Sequence, residues 1–177
     1  LKNEFRMKFG LIEQGDNPRK FLNNYIGIQT NLKLLDESAS GIGSMSIGDN
    51  DSIIRRLPLF ESIDGSLIPS LSLELLRVAI GASTYQIKSS NASGESAFGE
   101  ETGINHVKLG NLIIPTNEDG SLWIHYPQES VRSLSISEVL SSNYPREFFE
   151  GKILIVGTSA PGLFAVSYTH LTLPTIE

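Results

Sequence analysis

The chain has 177 residues, 40% of them hydrophobic and 19% charged, with 20 acidic against 14 basic side chains and a formal net charge of -6. This supports one globular domain, or one domain with a piece of another, with enough apolar content for a core. The acidic balance argues against a broad nucleic-acid-binding face, and the absence of cysteine excludes thiol catalysis, disulfide stapling and cysteine-based zinc fingers.

In chain order, LKNEFRMKFG lacks the apolar core of a secretion signal. Phe21 to Leu35 carries Phe21, Leu22, Tyr25, Ile28, Leu32 and Leu35 at loosely helical spacing and reads as helix or irregular chain. SASGIG is a turn, Gly43 to Ile47 a candidate strand, and GDNDS a turn-rich break. Ile53 to Phe60 reads as one strand, with Pro58 placing it at an edge or at its end. DGSLIPS reads as a loop.

Leu71 to Ile80 is the clearest helix. Leu71, Leu75, Val78 and Ala79 form its expected apolar stripe, Ser70 is its N-cap and Gly81 its stop. Thr84 to Lys88 is a short strand, and SSNASGESAFGEETG a long polar surface loop. HVKL, NLIIPT and SLWIHY are then separated by Gly110–Asn111 and Asp119–Gly120, dipeptides of the kind that close hairpins. Ser135 to Leu140 is a short helix capped by Ser135 or Ser137. Lys152 to Val156, with ILIV at its end, reads as a strand buried on both faces. The expected fold is an α/β or α+β domain: a mixed sheet with hairpins and flanking short helices.

Several clusters invite a chemical reading. GTSAPG, Gly157 to Gly162, follows the apolar strand and could present N–H groups to an anion, but it matches no phosphate-loop or dinucleotide pattern, so a tight strand exit is favoured. Asp49 and Asp51 lack the acid at the twelfth position of a calcium loop, where Phe60 stands. Asn91–Ala92–Ser93 fits the glycan acceptor pattern, which matters only in a glycosylating secretory pathway. His106 and His125 lie in apolar strands without a third metal ligand. No nucleophile elbow supports a Ser/His/Asp site, and Trp123 reads as core or sheet face. In a regular strand Arg55 and Arg56 point to opposite faces, so one is solvated and the other faces the core and needs a carboxylate, carbonyl or ligand anion.

Five stretches taken in order resemble one family: DNDSIIRRLPLF, IPSLSLELLRVAIG, LGNLIIPTNEDGSLWIHYP, SISEVL and FEGKILIVGTSAPGL. This order is similar to the cyclase/histidine-kinase-associated sensory extracellular domain of the second type, the CHASE family, type two. The resemblance runs from about Gly43 to Leu163. Ser52 stands where the family usually has Gly, and Pro161 replaces a common small residue.

The resemblance implies an extracytoplasmic, periplasmic sensor of a bacterial membrane receptor, joined to a nucleotide cyclase, a diguanylate cyclase or a kinase. The loop ASTYQIKSSNASGESAFGEETG looks most like cyclase-linked versions. It implies no enzyme activity, catalytic residue, cofactor or metal in this domain. It singles out Arg55, Arg56, Pro69, Ser70, Pro115, Thr116, Gly157, Thr158 and Ser159 as signature or ligand positions. The expected partner is an unknown small-molecule or physical signal, with no nucleic acid, membrane attachment through anchors outside this piece, and room for a homodimer. Competing readings are a small soluble α/β hydrolase-like enzyme with GTSAPG at its site, and a structural dimerisation module.

Residues 1–42 read as the incomplete N-terminal part of the sensor and 43–165 as the sensor proper. The chain does not open with Met, so it reads as incomplete. Val166 to Thr175 resembles the translation of a transposon-end sequencing adapter, so 166–177 reads as a non-native tail and native sequence is expected to stop near Ala165.

Overall fold

A computed structural model describes residues 7–46, 54–92, 102–126, 133–141 and 144–157. The chain divides into two compact units, Leu1–Gln128 and Glu129–Glu177.

The first unit is α+β, with mixed sheets and short helices. Strand β1 (Gly10–Gln14) is followed by β2 (Asn24–Tyr25), helix α1 (Lys33–Ser38), β3 (Arg56–Pro58), β4 (Phe60–Ile63), β5 (Ser66–Pro69), α2 (Leu71–Ala79), β6 (Thr84–Ser89), β7 (Ile104–Leu109), β8 (Leu112–Pro115) and β9 (Ser121–Trp123). They form a four-stranded sheet ordered β1-β6-β7-β8, a three-stranded sheet β2-β4-β5 and a β3-β9 ribbon. Pairing is mixed: β1 runs parallel to β6 and β2 parallel to β4, while the others are antiparallel.

The core lies where the two larger sheets and α2 meet. Tyr85 and Ile87 of β6, Val107 and Leu109 of β7, Phe60 and Leu67 of β4–β5, and Leu73 of α2 are at most 2% exposed. Tyr85 sits at the centre, its ring edge-to-face with Phe9 and Phe60 at 5.0 and 5.2 Å between centroids. Each such side chain removed from water contributes about 1.5–3 kcal/mol.

Several expectations hold. Helix α2 begins at the Ser70 cap, whose hydroxyl accepts the Leu73 N–H, and ends before Gly81. Gly110–Asn111 closes the β7–β8 hairpin, Leu109 facing Leu112.

Others are corrected. The stretch read as one strand from Ile53 is two, because the chain changes sheets at Leu59: β3 pairs with β9 and β4 with β5. DGSLIPS is not a loop; Asp64 and Gly65, both at positive φ, form a two-residue turn that closes the β4–β5 hairpin. Asp119–Gly120 does not join β8 to β9 as a hairpin. It belongs to a tight turn in which the Gly120 N–H bonds the Asn117 carbonyl, and β9 leaves to pair with β3. Of Gly43 to Ile47, Ile47 lies outside the described residues, and among the others only Ser44 makes a bridge, to Ser70. The buried face of α2 is Leu73, Glu74 and Arg77, whereas Val78 is 42% exposed; paired charges can occupy that face because they satisfy each other.

In the second unit, α3 (Ile136–Ser141) starts where predicted, the Glu138 N–H bonding the Ser135 hydroxyl. Lys152 to Val156 forms no strand, and Ile153–Val156 are 60–86% exposed. A strand is buried on both faces only when sheet neighbours supply them, and the described part of this unit holds only α3 and one 3-10 turn.

Candidate functional site

Two of the signature positions meet in one cleft. Arg56 from β3 and Thr116 from the chain after β8 line an open, polar cavity of about 550 Å³ with Asn105, Glu118 and Asp119. Arg56 lies 3.4 Å from the Asp119 carboxylate, both side chains about half exposed at 52% and 50%. Its guanidinium also sits 5.7 Å from the centroid of Trp123, its cross-strand partner. The arginine therefore already has an anion and an aromatic face, and two acids share its cleft. That arrangement suits clipping β3 to β9 better than capturing a free anion.

Both arginines are exposed, which corrects the expectation that one faces the core. Arg55 precedes the strand, and its carbonyl accepts the Ile124 N–H at 2.8 Å. Trp123 is likewise a surface residue at 67% exposure.

The remaining signature positions are scattered. Pro69 and Ser70 are buried at the β5–α2 junction, where their backbones bond Ser44 and Leu59. Pro115 is exposed at the end of β8 opposite His106. Gly157 is exposed in the second unit, and Thr158 and Ser159 lie outside the described residues, as do Asp49, Asp51 and most of the long polar loop.

Two buried glutamates matter more, and neither is among the signature positions, although Glu74 lies within IPSLSLELLRVAIG. Glu74, on the inner face of α2, is held in a closed network. Arg77 one turn on grips both its carboxylate oxygens at 2.9 and 2.8 Å, and the Tyr85 hydroxyl donates to Oε2 at 2.7 Å. Arg77 also donates to the carbonyls of Ala82 and Ser40. Burial, with the neighbouring Glu74 carboxylate, pushes the Tyr85 hydroxyl far above its ordinary pKa; the hydrogen bond to Glu74 raises that of Arg77. Each polar atom has a partner, so this network fastens α2 to β6.

Glu61, in the middle of β4 and 1% exposed, differs. Strand alternation puts Phe60 toward Tyr85 and turns Glu61 and Ile63 the other way. There they line a cleft of about 300 Å³ with Tyr25, Ile28, Ser44 and Met45. The Ser44 hydroxyl donates to Glu61 Oε2 at 2.5 Å. Ser44 is itself fixed, its N–H on the Pro69 carbonyl and its own carbonyl on the Leu71 N–H. Gly43 permits this approach, since a Cβ there would come 2.5 Å from the Leu71 Cα. Among the described residues, Glu61 Oε1 is the one buried side-chain polar atom with no hydrogen-bond partner.

The described residues hold no cluster of three or more metal-ligating side chains and no helix long and apolar enough to cross a membrane. His106 faces Lys88 across the sheet, and burial together with Lys88 and Lys108 pushes its pKa down. A general base in a Ser/His/Asp site is oriented by an acid instead. His125 is exposed just after β9.

The sequence profile of the CHASE2 domain matches residues 7–176, a span that extends on both sides of the motif-bearing stretch. No curated protein and no solved structure matches the chain. The chain belongs to the CHASE2 family, whose members are extracellular sensory domains of signalling receptors, and the domain itself is non-enzymatic.

Proposed function

We propose that this CHASE2 chain is the extracytoplasmic input domain of a bacterial transmembrane receptor, with a nucleotide cyclase as its cytosolic output. A diguanylate cyclase or a kinase is the other output consistent with the same arrangement. The family match over nearly the whole chain carries this reading. The Arg56 cleft agrees with it: the Thr102 and Thr116 hydroxyls donate to Asn105 Oδ1 and the Ile104 carbonyl rather than to a carboxylate or imidazole that would activate them as nucleophiles.

Sensing in such a domain needs no chemistry. A small molecule that binds one of two conformations more tightly shifts their populations, by no more than its differential affinity. The receptor in its native membrane tests the reading. Protease added to intact spheroplasts is expected to cut within this domain, and removing the domain is expected to change cyclic-nucleotide output. Full protection until the cells are lysed, or output indifferent to the domain's removal, overturns it.

A further inference from the structure

We propose that the Glu61 cleft is a binding site for a small primary amine, taken up as its ammonium ion. The inference deepens the sensory reading by naming the chemical class of the signal, and it can fail without that reading failing.

The argument begins with the unpartnered oxygen. A buried acceptor without a donor is costly, and native proteins keep few of them. Glu61 is the most buried of the described residues lining the cleft and among them is bonded only by Ser44, at Oε2. The other oxygen lacks a donor among the described residues, and a carboxylate favours a charged one. Ser44 is anchored through its backbone to Pro69 and Leu71, which fixes the orientation of Glu61 before any ligand arrives. Such pre-organisation is what a recognition group needs.

The other walls narrow the class. Tyr25, Ile28, Met45 and Ile63 supply an aromatic ring and apolar surface, suited to a short hydrocarbon chain behind a cationic head. Among the described residues no Lys, Arg or His lines the cleft. An amino acid's carboxylate would find no counter-charge there, so an amine is favoured over the corresponding amino acid. Among the described residues Glu61 is the only acid in the lining, too few ligands for a divalent cation, which prefers several oxygens. The volume of about 300 Å³ is at the small end for ligand sites and admits a head and a few carbons. The chain's net charge of -6 also favours the approach of cations.

The test uses isopentylammonium chloride, with leucine as the carboxylate-bearing counterpart and isopentanol as the neutral one. Each is titrated into the whole chain while backbone amide NMR shifts are followed. The amine is expected to give saturable shifts at Gly27, Gln29, Ser44 and Ser46, with leucine and isopentanol at least about tenfold weaker, one decade in Kd. Glu61→Gln, which keeps the shape and removes the charge, is expected to lose at least about tenfold in affinity, again one decade.

Gly27→Val is the second variant. An added Cβ there meets nothing within 4 Å, so the fold should accept it while the side chain narrows the cleft. It too is expected to weaken binding. Three results overturn the proposal: no saturable shift at about 10 mM amine, a decade above a millimolar Kd; equal binding of leucine or isopentanol; or undiminished affinity in both variants. None of these alters the outcome of the spheroplast experiment.

Discussion

Two carboxylates in the first unit are buried almost equally, Glu74 at 2% and Glu61 at 1%, yet their surroundings are opposite. Under α2, Arg77 and Tyr85 satisfy both oxygens of Glu74. Across β4, Glu61 has Ser44 on one oxygen and no donor among the described residues on the other. A closed network lends specificity to a fold, whereas a half-satisfied one spends stability on something else. Burial alone thus does not distinguish a structural charge from a functional one; the hydrogen-bond inventory does.

The sharpest way to break this comparison is Arg77→Met. Leaving Glu74 buried and unpaired is expected to cost about 3–5 kcal/mol, and replacing both partners, Glu74→Leu with Arg77→Met, to recover much of that loss. Urea unfolding measures both. A loss below about 1 kcal/mol would mean the network holds nothing together. Arg56→Ala serves as the surface counterpart: its half-exposed pair with Asp119 should be worth no more than about 1 kcal/mol. A larger loss would make that clip part of the core scaffold.

The smallest effect concerns pH. His106 has its pKa lowered from 6.5 by burial and by Lys88 and Lys108, so the unfolded chain takes up the proton first. Its contribution is therefore nil above pH 6.5 and becomes a loss of stability as pH falls below it. The difference between wild type and His106→Gln should accordingly narrow or change sign between about pH 7.5 and about pH 5.5. A difference constant across that range would contradict the assignment.

Much of this fold is legible in local signals. The Ser70 cap and Gly81 stop delimit α2, Gly110–Asn111 closes its hairpin, and Ser135 starts α3. The β4–β5 hairpin carried the same kind of signal in Asp64–Gly65, but Pro69 and the neighbouring serines made SLIP resemble a loop. The change of sheet at Leu59 left no local mark, because partner choice is a long-range event. Ile153–Val156 shows the limit of apolar patterning, which states what a segment can bury but not what is there to cover it.

The same division applies to the site. Family motifs singled out Arg56 and Thr116, but only the structure brings them to one cleft. Glu61 stood unnoticed in LFESI because a single acid in an apolar run has no spacing to reveal it. Its partner Ser44 reaches it only through the close contact at Gly43.

The central claim is that Glu61 serves recognition at the expense of stability. Its most direct measurement is the urea unfolding free energy of Glu61→Gln against wild type, without added ligand, at neutral pH. Removing an under-satisfied buried charge while keeping the side-chain shape should leave the domain as stable or raise it by about 1 kcal/mol. A loss of about 2 kcal/mol or more, as expected for a charge that holds its surroundings together, would contradict the account.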